Sequence, residues 1–253
     1  MAALAECGTH AIVAAEIGRD GEGEETLTRN ILSSGAVGPG MLVMADSGLY
    51  SYTNFKMVLD AGADALFRVG ANVELPILEW FPDGSYLSFI ADSKEKARNS
   101  YRLHHGLVKI TDLPGFYVRV VDYEITDRGD GEEIITLVTN ITDPGEISAA
   151  ELAAAYHERW EAELVFDEIK THQRGPGTIL RSRKPELVEQ EIWGLLLLTH
   201  YGIRHLMREA ADQAELDPDR ISFIRALRVV RRQVTGQAAF SPSETGESSC
   251  GSD

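Results

Sequence analysis

Apolar and polar positions follow two rhythms along this chain. In the first third, short runs of apolar and β-branched residues (9–17, 41–45 and 63–69) are separated by stretches of helical period. One stretch, 24–34, places Leu27, Ile31 and Leu32 on one face; another opens after Gly48 and carries Phe55, Met57, Val58 and Leu59. Strand, helix, strand, helix, strand in that order predicts an α/β sheet. Gly35, Gly38, Pro39 and Gly40 mark the break before the second strand. From residue 70 to 139 the rhythm shortens: segments 86–90, 107–110, 116–123 and 134–138 are separated by Pro, Gly and Asp, which predicts antiparallel strands. Asp143-Pro144-Gly145 closes that region, and Ser148 with Glu151 has the form of a capping box opening a long helix. Helices are predicted again over 185–211 and 220–234, broken by Asp217-Pro218. Residues 237–253, rich in Ser, Gly and Glu, read as disordered.

A chain of 253 residues suffices for one large domain or two small ones. Residues 1–7 are interrupted by acidic and polar side chains and lack the form of a signal peptide. The longest apolar run, 192–198, is too short to span a bilayer. A cytoplasmic protein without membrane association is expected. Cys7 and Cys250 lie at opposite ends and do not suggest a disulfide framework; Cys7 and His10 lack the second pair that a zinc site needs. The net charge of -16 argues against a protein that coats DNA generically, but the basic residues are segregated. Residues 171–184 hold Arg174, Arg181, Arg183 and Lys184 with no acid, and residues 220–232 hold five arginines with no acid. On a helix Arg225, Arg228 and Arg232 share a face. Such a row can follow a phosphate backbone, or it is a solvated helix end favoured by the helix dipole.

The densest chemistry lies between Tyr156 and Lys170. At about 100° per residue, Tyr156, Arg159, Glu163 and Lys170 fall within one arc of roughly 60°. Ala155, Ala162, Phe166 and Ile169 border the arc on one side, Trp160 and Leu164 on the other, and Glu158, Glu161 and Glu168 point away, toward water. A carboxylate framed by a phenol, a guanidinium and an ammonium suits a metal ion held by the Glu and phosphates held by the cations. The plainer alternative is an amphipathic helix with surface ion pairs. Asp46 is the second candidate. It ends the apolar run 41–45 and precedes Gly48, so it sits at the carboxyl end of a buried strand, where open α/β sheets place their chemistry. Otherwise it is a turn or N-cap residue.

The spacing Tyr156-(2)-Arg159-(3)-Glu163-(6)-Lys170, with Ala45-Asp46-Ser47-Gly48 upstream, resembles the signature of insertion-sequence transposases of the DDE class, in the branch called the IS-four family. The resemblance covers roughly residues 8–232. It implies a ribonuclease-H-like α/β core interrupted by an antiparallel β insertion, with a C-terminal helical extension. Residues 1–69 would be the partial core, 70–145 the insertion, 146–184 the signature helix completing the core, 185–236 the C-terminal helices and 237–253 the tail. The implied activity is cleavage and strand transfer of insertion-sequence ends, both in-line displacements at phosphorus. Asp46 and Glu163 would be catalytic metal ligands, while Tyr156, Arg159 and Lys170 contact the transposon-end DNA. The implied cofactor is Mg2+ or Mn2+, two ions about 3.5–4 Å apart, caged by hard oxygen ligands.

In that family a first Asp lies on an earlier strand. Here Asp20, in a turn-like Gly18-Arg19-Asp20-Gly21, is the sole Asp before Asp46. The expectation is therefore an N-terminally truncated transposase, inactive or incomplete alone. Its partners would be double-stranded DNA and a homo-oligomer, or a mixed assembly with an intact transposase. Competing readings are a ribonuclease-H-like nuclease and a non-catalytic DNA-binding or assembly remnant. A two-carboxylate sugar hydrolase ranks below these, because the cations beside Glu163 disfavour a general acid. Trp80 is either core or a platform for a displaced base.

Overall fold

The computed structural model describes residues 1–19, 21–125, 133–173, 180–216 and 220–235. The expectations for Asp20, Arg174, Asp217-Pro218 and the tail 237–253 lie outside those residues. The chain divides into two compact units: Met1–Cys7 with Ile12–Glu163, and Gly8–Ala11 with Leu164–Asp253. The first is mixed α/β and the second is helical among its described residues.

In the first unit, Ala2–Ala5 (β1) and Ile12–Glu16 (β2) form an antiparallel pair. Helix Glu24–Ser33 (α1) follows, then Leu42–Ala45 (β3), helix Tyr52–Asp60 (α2) and Asp64–Val69 (β4). β3 and β4 run parallel, as a crossover through a helix requires. Glu79–Trp80 (β5), Tyr86–Ala91 (β6), Gly115–Ile125 (β7) and Glu133–Thr139 (β8) then extend the same sheet antiparallel, in the order β3-β4-β8-β7-β6-β5. Short helices Ser93–Arg98 (α3) and Ser100–His104 (α4) connect β6 to β7.

The expected α/β sheet is thus present, six-stranded and mostly antiparallel. The strand expected at 107–110 is absent: Asp112 accepts a hydrogen bond from the Lys109 N–H at 2.9 Å and folds the segment into a 3-10 turn, Ile110–Asp112. The first predicted strand also starts late, because residues 7–9 form a turn and His10 adopts a left-handed φ of 56°.

The period-2 alternation of the strands gives the sheet two apolar faces. Val43, Ala45, Phe67, Val69, Val118, Val120 and Val138 pack with Phe55 and Val58 of α2 and Leu32 of α1. On the other face Leu66, Val121, Ile135 and Leu137 meet Leu152 and Tyr156 of helix Ala149–His157 (α5). The capping box expected at α5 forms: Ser148 Oγ accepts from the Glu151 N–H, and Glu151 accepts from the Ser148 N–H at 2.8 Å. Ser148→Ala is expected to cost about 1 kcal/mol, read as a lower urea midpoint with an unchanged slope.

A buried arginine seats the start of this helix. Arg119 of β7 is fully buried, donates to Ser85 Oγ at 2.8 Å and to the Ile147 carbonyl at 2.6 Å, and pairs with Asp83. Asp83 in turn accepts from the Ala149 N–H at 2.9 Å. The β5–β6 turn, the middle of β7 and the first turn of α5 therefore meet at one guanidinium.

In the second unit Glu168–Gln173 and Gly194–Tyr201 are π-helical, and helices Pro185–Trp193 (α7), Gly202–Ala214 (α8) and Phe223–Thr235 (α9) complete it. Ile203 and Met207 of α8 pack on Phe223 and Leu227 of α9. Among the described residues no helix is long and apolar enough to cross a membrane.

Candidate active site

Asp46 stands where the sequence places it, directly after β3. Leu42 and Met44 face the α5 side of the sheet, and the same alternation aims Asp46 there. Its Oδ1 accepts from the Gly48 N–H at 3.0 Å and the Leu49 N–H at 3.2 Å. A Cβ at Gly48 would lie 3.3 Å from that oxygen. The following loop is pinned in turn. Buried Asn54 donates to the Leu49 carbonyl at 2.8 Å, and Ser51 caps α2 by accepting from the Asn54 N–H at 3.1 Å. Among the described residues both hydrogen bonds to the Asp46 carboxylate end on Oδ1 and none on Oδ2.

The predicted signature helix is not a single α-helix. α5 ends at His157, and a new helix, Trp160–Asp167 (α6), begins after Glu158 and Arg159. Four N–H groups on either side of Trp160 reach back three residues instead of four: Glu158 to Ala155, Arg159 to Tyr156, Glu161 to Glu158 and Ala162 to Arg159. Such tightening in mid-helix is a recurrent feature of functional segments.

At this junction the Arg159 guanidinium lies 5.6 Å from the Tyr156 ring centroid and 5.8 Å from that of Trp160, and both Nη atoms reach Glu163 Oε1 at 3.3 Å. Glu163 is half exposed, at 51%, against 21% for Arg159. The Tyr156 hydroxyl and Arg159 Nε are buried without a hydrogen-bond partner.

Two residues missed in the sequence join them. Arg68 of β4 and Tyr123 of β7 share the Asp46 face of the sheet. Burial raises the Tyr156 phenol above its ordinary pKa; Arg159 and Arg68 oppose that rise, while Asp46 and Tyr123 add to it. Burial likewise raises Tyr123, against Arg68 and Arg159. Asp46, Arg68, Tyr123, Tyr156 and Arg159 are therefore electrostatic neighbours, with Glu163 attached through Arg159. The signal for Arg68 was in the sequence: it is the one charge within the otherwise apolar run Ala65-Leu-Phe-Arg68-Val69. Tyr123 left no comparable mark.

Lys170 belongs to the second unit, in the π-helical turn, with Nζ 5.3 Å from the Phe166 ring centroid. Glu168, expected to face water, does not. The wider i→i+5 turn moves the residues after Asp167 out of the 100° register, and Glu168 becomes part-buried, paired with Arg204 and 3.3 Å from His200 Nε2. Arg204 also donates to His10 Nδ1 at 2.7 Å. Burial pushes the Glu168 carboxyl up, but hydrogen bonds from His200 and Arg204, with their charges, hold it below the usual range. Its stabilising contribution is therefore present above the ordinary glutamate pKa and is lost as pH falls. Glu168→Gln is expected to destabilise the protein by about 3 kcal/mol at neutral pH by stranding Arg204; the deficit shrinks toward pH 4, and urea titrations at both pH values read it.

Residues 8–200 match the family described as Transposase DDE domain. The chain belongs to this transposase family. The matched span contains Asp46, Tyr156, Arg159, Glu163 and Lys170. Transposase InsG for insertion sequence element IS4, from Escherichia coli (strain K12), is 28% identical over 246 residues, covering 96% of this chain and 52% of that protein. The transposase-family chain thus spans about half the length of the curated relative it matches. The expectation of an insertion-sequence transposase of the DDE class is borne out at the level of the family. Among the described residues no three His, Cys, Asp or Glu side chains gather into a group fit to hold a metal ion. Asp46 and Glu163 offer the right donor chemistry, hard carboxylate oxygens, as two members of such a set.

Proposed function

We propose that the chain acts on DNA as a DDE transposase, with Asp46 and Glu163 as two carboxylates of a divalent-metal site. The observation that carries this is that Tyr156 lies within reach of the charges of both Asp46, at the end of β3, and Arg159, which in turn pairs with Glu163. Bound Mg2+ or Mn2+ would supply activation of water, or of a 3′-hydroxyl, and neutralise charge at phosphorus. Asp46 Oδ2 and the exposed Glu163 carboxylate would hold it. Arg159, beside the Tyr156 and Trp160 rings, would take a phosphate oxygen. The Tyr156 hydroxyl, which has no hydrogen-bond partner in the protein, would donate to a phosphate oxygen. Lys170 would hold a further phosphate of the transposon end.

A third carboxylate belongs to the reading, and the sheet offers a place for it. β3 pairs only with β4 and β1 only with β2 among the described residues, although Leu4 of β1 packs against the core that β3 shares. A strand seated along the free edge of β3 would carry its terminal side chain beside Asp46 and complete a ribonuclease-H-like core.

A second reading, DNA binding without catalysis, is favoured by one observation, the lack of a three-carboxylate group among the described residues. Binding of an end-bearing duplex by the full chain, with and without Mg2+, separates the two. The catalytic reading predicts that Mg2+ tightens binding and that Asp46→Asn/Glu163→Gln removes the effect. Binding indifferent both to Mg2+ and to the double substitution would sink that reading.

A further inference from the structure

The apolar face of α9, Phe223, Leu227 and the flanking Ala226 and Val230, packs on α8. Arg225, Arg228 and Arg232 project from the other side within an arc of about 60°, and all three are exposed. Helical rise spreads them over roughly 10 Å. Among the described residues no carboxylate pairs with Arg225 or Arg228. Like charges at i,i+3 and i,i+4 weaken a helix, and Arg225, in its first turn, also opposes the helix dipole.

A chain of net charge -16 has acids in plenty to relieve this, yet residues 220–232 contain none. All five cations there are arginine and none is lysine. The planar guanidinium binds phosphate oxygens in pairs, which a lysine cannot do. α9 also lies beyond residues 8–200, the span matched by the family.

We propose that Arg225, Arg228 and Arg232 form a second DNA-contact surface, which grips the phosphate backbone of duplex DNA without reading its sequence. The inference rests on the reading that the chain acts on DNA, but not on the metal site. Each phosphate neutralised releases condensed counterions, so the row adds to the salt dependence of binding by about 0.9 per contact in log K against log salt.

The test is binding of a mixed-sequence duplex by the full chain in EDTA across a salt series. Arg225→Gln/Arg228→Gln/Arg232→Gln is expected to lower the slope by about 2–3 while the melting temperature holds. Arg225→Lys/Arg228→Lys/Arg232→Lys, which retains the charge, keeps the slope and binds more weakly. The slope is read in EDTA, with no divalent ion to fill the proposed metal site, so failure of the metal site is distinguishable from failure of this surface. A slope unaltered by the glutamine substitutions overturns the proposal. So does a slope lost in the lysine variant. If the glutamine variant instead changes the sedimenting mass without DNA and leaves the slope intact, the row seats an acidic face of a second copy, and the DNA proposal is wrong.

Discussion

Arg119→Met is expected to destabilise the protein by about 3–5 kcal/mol. The guanidinium is fully buried, and its removal strands three acceptors at once: Ser85 Oγ, the Ile147 carbonyl and the Asp83 carboxylate. Partial burial alone raises the Asp83 pKa. Hydrogen bonds from the Ser85 hydroxyl and from the Ala149 and Ser85 N–H groups, together with the Arg119 charge, overcome this and hold it at about 2. A depressed carboxyl stabilises the fold above its unfolded pKa, so this contribution is full at neutral pH and is lost as pH falls from 3.8 toward about 2. Urea unfolding at pH 7 measures the loss, and the gap between wild type and variant narrows in acid. A loss below about 1 kcal/mol, the range of an exposed pair, would show that the cluster does not anchor α5.

Glu163→Gln and Asp46→Asn are each expected to weaken Mn2+ binding by more than about 10–100-fold, the range seen when only a supporting partner of a metal ligand is removed. The effect should be this large because each change deletes a charged oxygen donor from a site with few of them. Both side chains lie at points where the backbone is already held, Asp46 by its own turn and Glu163 on α6, so melting temperatures should stay within a few degrees. Electron paramagnetic resonance of free Mn2+ reads the affinity directly. Tyr156→Phe, which removes a hydroxyl with no partner in the protein, should leave metal affinity unaltered.

Much of the fold was legible because the local signals agreed with the final packing. Buried strands ending at Ala45 and Val69, the α1 face Leu27-Ile31-Leu32 and the Ser148–Glu151 cap each follow from spacing alone. Asp46 was visible for the same reason, as an acid ending an apolar strand. What was not legible depends on departures from ideal period. The switch to three-residue hydrogen bonds at Glu158–Ala162 and the π turn after Asp167 leave no periodic trace, so an ideal helix wheel turned Glu168 outward when it pairs with Arg204. Arg68 and Tyr123 enter the site because β4 and β7 lie in one sheet with β3, a pairing of residues distant in sequence that no local pattern encodes.

Iron(II) in place of Mg2+, with ascorbate and peroxide, generates hydroxyl radicals at a divalent-cation site and cuts the polypeptide around it. Applied to the full chain, this tests most directly whether Asp46 and Glu163 hold one cation between them. The account predicts backbone scission near both residue 46 and residue 163, suppressed by excess Mg2+ and lost in Asp46→Asn/Glu163→Gln. Scission at neither position, or scission there that survives both excess Mg2+ and the double substitution, would contradict it.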